Sequence, residues 1–259
     1  MRASRILTAF SLLIPLCFGQ LSAQPLHAGA RDTPPGVAPS NKAPLTEEGR
    51  GDIFMARKMY REAVEVYKQA APVTPVISNK IGIAYHQMSD LNNARKQYER
   101  ALKANPKYAE AVNNLGTVFY AKKNYRRAIS LYKRALALTP YSASIYSNLG
   151  TALFARKKYD EALQAYNKAL ELDPDVFEHR NTQGVLLQER SVEERAKFFF
   201  FMAKTYAKAG VNDRALIYMR KALEEGFKER NKFLEDGEFA EMRKLPEFEQ
   251  LIKLEPRVL

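Results

Sequence analysis

Residues 124–174 read NYRRAISLYKRALALTPYSASIYSNLGTALFARKKYDEALQAYNKALELDP, and within them Tyr125-Arg126-Arg127-Ala128 returns 34 residues later as Tyr159-Asp160-Glu161-Ala162. The same register extends towards the N-terminus. Gly51, Gly82, Gly116 and Gly150 fall at intervals of 31, 34 and 34. Twelve residues after each stands an alanine: Ala63, Ala94, Ala128 and Ala162. Four further comes a tyrosine: Tyr67, Tyr98, Tyr132 and Tyr166. Three more reach Ala70, Ala101, Ala135 and Ala169, and five more reach Pro75, Pro106, Pro140 and Pro174. Five positions recurring in four units at a nearly fixed period define a repeat architecture.

Each unit reads as two helices of about 12–14 residues joined by a tight turn, and helices that short are marginal in water on their own. The alanine, tyrosine and second alanine lie at i, i+4 and i+7, on one helical face. The glycine and alanines remove bulk so that paired helices approach closely. The tyrosine, with Leu115 and Phe119 or Leu149 and Leu153 opposite, fills the remaining space. The proline is placed to stop the second helix, because its ring and missing N–H disfavour continuation. Pro75 and Gly82 are seven apart where the other units have ten, which predicts a first helix nearly one turn shorter in the second unit.

These residues resemble the tetratricopeptide repeat over about residues 45–176. KIGIAYHQ, NNLGTVFY and SNLGTALF match its first helix. YREAVEVYKQAAPVTP, LNNARKQYERALKANP, YRRAISLYKRALALTP and YDEALQAYNKALELDP match its second. The chain departs from the family pattern in having no tryptophan, and Arg50 stands where leucine is usual, which suits an exposed end. The resemblance implies an all-α, right-handed superhelical solenoid of helix-turn-helix repeats, non-enzymatic and without cofactors. It also implies a concave face, lined by the first helices, that holds another protein's peptide or helix. Matched by place in each unit, that groove draws on Asn79, Asn113 and Ser147, on Ile83, Thr117 and Thr151, and on His86, Tyr120 and Phe154. Tyr120 and Phe154 read equally as packing, and Asn114 and Asn148 read as structural. The groove lacks the lysines and arginines that would clamp a terminal carboxylate.

The flanks differ in kind. In residues 1–23, Arg2 and Arg5 precede an apolar run and Ala23 offers a small residue for cleavage, the pattern of a secretory signal peptide. Removing it takes two arginines and leaves about +10 of the formal charge of +12. Residues 24–45, with Pro25, Pro34, Pro35, Pro39 and Pro44, read as a disordered tether. Four repeat units then occupy 46–176. Degenerate repeat-like helices follow over 177–229: Gly184 keeps the interval of 34, and Ser191 with Glu194 forms a capping box. Ala203, Tyr206, Gly210, Ala215, Met219 and Ala222 take repeat-like places, and Phe198–Phe201 reads as buried helix. Residues 230–259 read as a C-terminal helical cap, with two short amphipathic helices split by Pro246, since a solenoid must cover its last apolar face.

Little in the chain suggests catalysis or metal binding. Cys17 is the only cysteine, the three histidines are His27, His86 and His179, and no glycine-rich phosphate loop or HExxH occurs. The positive charge concentrates at the turn inside three units: Arg57 and Lys58, Lys122 and Lys123, and Arg156, Lys157 and Lys158, with Arg126 and Arg127 nearby. Unit two breaks this series with Met88-Ser89-Asp90. Such a ridge serves solubility or attracts an anionic envelope lipid, an acidic protein or another anionic polymer. The export pattern argues against nucleic acid and for a periplasmic or secreted bacterial protein.

Overall fold

A computed structural model describes residues 44–178 and 191–254, and every regular element among them is helical. Four hairpins come first: α1 (Glu47–Ala56) with α2 (Tyr60–Gln69), α3 (Pro75–Gln87) with α4 (Leu91–Ala104), α5 (Ala109–Ala121) with α6 (Tyr125–Leu138), and α7 (Ala143–Ala155) with α8 (Tyr159–Leu172). Each second helix also packs on the first helix of the next unit, which makes the array a solenoid. A fifth hairpin, α9 (Val192–Lys208) with α10 (Asn212–Glu224), follows. The end is built from α11 (Lys232–Glu235), 3-10 turns at Gly237–Phe239 and Met242–Lys244, and α12 (Pro246–Ile252).

Side chains set where several helices begin. Thr46 Oγ1 accepts from Gly49 N at 3.1 Å, Thr74 Oγ1 from Ile77 N at 3.1 Å, and Asp90 Oδ1 from Asn93 N at 3.0 Å. Asn124 Oδ1 accepts from Arg127 N at 3.2 Å, and Ser191 Oγ from Glu194 N at 3.2 Å. Each satisfies an amide that the first helical turn leaves without a backbone partner.

Glycine against tyrosine governs the packing inside a hairpin. A Cβ added at Gly51, Gly82, Gly116 or Gly150 would lie only 2.3, 2.5, 2.6 or 2.6 Å from the ring of Tyr67, Tyr98, Tyr132 or Tyr166. Those tyrosines are fully buried, as are Ala63, Ala94, Ala128 and Ala162. In the fifth hairpin Ala203 takes the glycine's place and Met219 the tyrosine's, both buried. The added methyl is matched by a slimmer, flexible partner, so the same close approach survives with different residues.

The three residues missing between the first two units come out of α2, which ends four residues early, not out of α3. That helix has 13 residues, like α5 and α7, whereas α2 has ten and α4, α6 and α8 have 14. Pro75 therefore opens α3 as its first residue, where a missing N–H costs nothing. Pro106, Pro140 and Pro174 do lie just past helix ends. Pro246 likewise opens α12 and does not divide two α-helices, and the segment before it forms 3-10 turns. Phe198 and Phe200 are buried, and Phe200 stacks on Phe227 at 4.5 Å and meets Phe233 edge-on at 5.0 Å. Among the described residues no helix is long and apolar enough to cross a membrane. The leader, Gly184, His27, His179 and the tether up to residue 43 lie outside the described residues.

Gly116→Ala is expected to destabilise the chain by about 1–3 kcal/mol through overpacking against Tyr132. Adding Tyr132→Met should recover part of that loss, as the Ala203/Met219 pair already does. Urea midpoints of the two single variants and the double variant check this, and strict additivity would contradict it.

Candidate functional site

The first helices are held in register by a hydrogen-bonded ladder. Asn114 Nδ2 donates to Asn79 Oδ1 at 3.0 Å, and Asn148 Nδ2 to Asn113 Oδ1 at 3.0 Å. In each case the residue two before a glycine reaches the residue three before the preceding unit's glycine. Lys80 Nζ and Glu48 Oε1, at 2.7 Å, form the same rung as an ion pair. Asn79 also donates to Glu110 Oε1 at 2.9 Å. Asn79 and Asn113 are therefore buried structural residues with their carboxamides engaged.

The position after the glycine also turns inward. Thr151 Oγ1 accepts from the Tyr166 hydroxyl at 3.3 Å, and Asp52 Oδ1 accepts from the Tyr67 hydroxyl at 2.6 Å. Burial first, and then the Asp52 hydrogen bond, push the Tyr67 hydroxyl well above its ordinary pKa. Thr117 Oγ1 donates to Asn114 O at 2.7 Å. Tyr120 is buried 5.1 Å from the Tyr125 ring, and Phe154 is enclosed by Tyr159, Phe198 and Phe201 at 5.3–5.7 Å. Every residue of α5 from Ala111 to Tyr120 is buried. Of the groove residues read from the sequence, Ile83, His86 and Ser147 keep partial exposure. Asn79, Asn113, Thr117, Tyr120, Thr151 and Phe154 serve contacts inside the protein.

A row that the sequence reading passed over stands at the start of the first helices. Leu45, Val76, Glu110 and Ser144 each lie six residues before a repeat glycine, and all four are exposed. Leu45 and Val76 are large apolar residues at 55% and 41% exposure. The signal was present in the repeat register itself: the same place, never filled by a small packing residue common to all units.

The basic turns are also at the surface. Arg57, Lys58, Lys122, Lys123, Arg156, Lys157 and Lys158 are all exposed. Lys158 pairs with Glu161 at 2.7 Å, and Lys122 reaches back to Asn92 Oδ1 at 2.6 Å. Arg127 is exposed as well, and its guanidinium lies 4.3 Å over the Phe119 ring. Among the described residues no three histidine, cysteine or carboxylate side chains converge as a metal site. Burial lowers the pKa of the His86 imidazole from its ordinary value of 6.5.

Paired helices of near-constant length, closed by glycine against tyrosine and stacked by a side-chain ladder, define a helical-repeat binding protein. Models of the tetratricopeptide repeat match residues 79–143 and 143–176, and over those residues the chain is built of tetratricopeptide repeats. The chain is 32% identical over 98 residues to the heat-shock protein cognate co-chaperone sgt12 of Aspergillus fumigatus. That match covers 35% of this chain and 29% of the co-chaperone, so the likeness spans less than a third of the longer protein. Solved structures with a similar fold include MamA, at 24% identity and a TM-score of 0.47 over 68% of this chain and 93% of that one. MamA of Desulfovibrio magneticus gives 20% identity and a TM-score of 0.49, over 69% of this chain and 92% of that one. The first tetratricopeptide domain of Spaghetti (RPAP3), bound to an HSP90 peptide, gives 28% identity and a TM-score of 0.40, over 40% of this chain and 83% of that one.

Asn113→Leu removes the acceptor for Asn148 Nδ2 and is expected to cost about 1–3 kcal/mol, the desolvation penalty of an unpaired buried group. Asn113→Gln, which keeps a carboxamide, should cost less in the same urea titration. A second expectation concerns acid. Because folding favours neutral His86, its contribution is full above pH 6.5 and is lost as pH falls through its lowered folded value. The thermal midpoint of His86→Gln should therefore fall less than that of the parent as pH drops below 6.5.

Proposed function

We propose that this chain is a non-enzymatic protein-interaction scaffold that binds a partner segment along the starts and outer faces of its first helices. The carrying observation is the exposed row of Leu45, Val76, Glu110 and Ser144, held in register by the ladder one turn further along the same helices. Leu45 and Val76 supply apolar anchors, and Ile83, His86 and Ser147 extend the surface with mixed polarity. A surface already ordered before binding loses little conformational freedom when a partner docks.

The row differs from the aromatic groove suggested by the resemblance, since Tyr120 and Phe154 face inward. A partner would lie over the N-terminal turns of the first helices. An exported location is supported by the leader-like residues 1–23 and by the lack of any cysteine after Cys17.

Substituting Leu45→Asp and Val76→Asp together is expected to abolish capture of partners from envelope extract, with helical content and thermal midpoint unchanged. The variant Ile217→Asp, at an exposed apolar residue of α10, should leave capture intact. Recovery of the same partners by all baits would refute binding at this row.

A further inference from the structure

Two arginines from different units converge on one aromatic ring. The Arg95 guanidinium of α4 lies 5.6 Å from the centre of the Phe119 ring, and that of Arg127, near the start of α6, lies 4.3 Å from it. Phe119 is buried, Arg127 is exposed and Arg95 is partly exposed. Lys122, one residue past the end of α5, reaches Asn92 Oδ1 at 2.6 Å. Asn92 lies three residues before Arg95 on α4, and residues three apart are neighbours on a helix surface. Arg95 Nε donates to Glu99 Oε1 at 2.7 Å. Among the described residues neither Arg127 nor Lys122 has a carboxylate partner. Asp90, at the head of α4, is taken up by the backbone amide and carboxamide of Asn93 at 3.0 and 2.7 Å. The cluster thus sets three cations against the carboxylate of Glu99.

The repeat register sets this junction apart from the others. At the places of Arg95, Phe119 and Arg127, the junction of units one and two has Val64, Tyr85 and Asn93, and that of units three and four has Ile129, Leu153 and Glu161. Leu153 is buried without a guanidinium at either place, so sealing this position does not require two arginines. Two like charges over one ring repel each other. Stacking on the ring fixes the plane of each guanidinium and leaves its N–H edge for a partner.

We infer that Arg95, Arg127, Lys122 and Asn92 form a binding site for a phosphate monoester group. A dianion matches three cations and one carboxylate better than a single carboxylate would. A phosphate ester carries about −1.5 to −2 charges at neutral pH and three strong acceptor oxygens. The planar forks of Arg95 and Arg127 suit those oxygens, with Lys122 as a point charge beside them. Asn92, whose Oδ1 holds Lys122, keeps its amide N–H groups as neutral donors on the same side of α4. The site stands at the far end of the first helices from the row of Leu45, Val76, Glu110 and Ser144, and it is independent of binding there.

The test is calorimetric titration of the full chain with inorganic phosphate at about pH 8, where the dianion dominates. Saturable binding in about the millimolar range or tighter is expected, weakening as sodium chloride is raised. Arg127→Gln and Lys122→Gln should each reduce affinity about tenfold, the loss of one charge-assisted hydrogen bond. Arg134→Gln should change it little, because that arginine lies on the same helix but bonds to Pro106 O. Thermal midpoints without phosphate check that the variants stay folded. If the arginines only cover the ring, Arg127→Gln lowers that midpoint and the parent does not bind phosphate. Glycerol 3-phosphate, and phosphatidylcholine vesicles with or without phosphatidic acid, distinguish a soluble ester from a lipid headgroup as the carrier. Three results would each overturn the inference: no saturable phosphate binding by the parent, parent-like affinity in Arg127→Gln, or an equal loss in Arg134→Gln.

Discussion

The fold depends on how closely two short helices can approach. With a Cβ excluded at Gly51, Gly82, Gly116 and Gly150 by a tyrosine ring, the first helix can seat directly on the aromatic face of the second. Neither helix is long enough to persist in water alone. The contact supplies what each lacks: apolar area removed from solvent, on a face fixed by the i, i+4, i+7 spacing. Ala63, Ala94, Ala128 and Ala162 lie beside it with no exposed surface, so nothing bulky holds the pair apart.

The ladder solves a second problem, which is how one hairpin is oriented on the next. Apolar packing between helices tolerates sliding, whereas a carboxamide buried without a partner carries a penalty. Asn79, Asn113, Asn114 and Asn148 therefore define register more than they add stability. Phe201 stands two residues before Ala203, at the place of the donor asparagine, and stacks on Tyr159 at 5.0 Å. The polar ladder ends there and aromatic packing takes over, which is how the fifth hairpin docks without a matching amide.

The repeat period, the hairpin pairing and the buried positions were legible because they rest on steric rules local to the sequence. The glycine, tyrosine and alanines announced the core at fixed places, and Ser191 announced the start of α9. The boundary between units one and two was misread because the spacing alone does not tell a terminator from an initiator. Pro75 satisfies both rules, and Thr74 capping Ile77 decides for the second. The surface was less legible. Groove positions assigned by analogy turned inward, because side-chain direction at Asn79, Thr117 or Phe154 depends on what the neighbouring unit presents. Phe198 and Phe201, which enclose Phe154, lie more than forty residues away in the chain.

The apolar interior is not one continuous body. Ala63, Val64, Tyr67, Ala70, Ile77, Ile81 and Ala84 form a small cluster distinct from the larger one that runs from Ala94 to Leu251. The boundary falls inside the second unit, between α3 and α4, where Tyr85 borders both clusters. The leading hairpin also has the shortest second helix and rests on the ionic rung from Lys80 to Glu48, which water can reach. Opening of the array should thus be directional: the leading hairpin peels away at a free energy below that of global unfolding. That would leave a shorter stack behind, with the face of α3 bared as a sticky end.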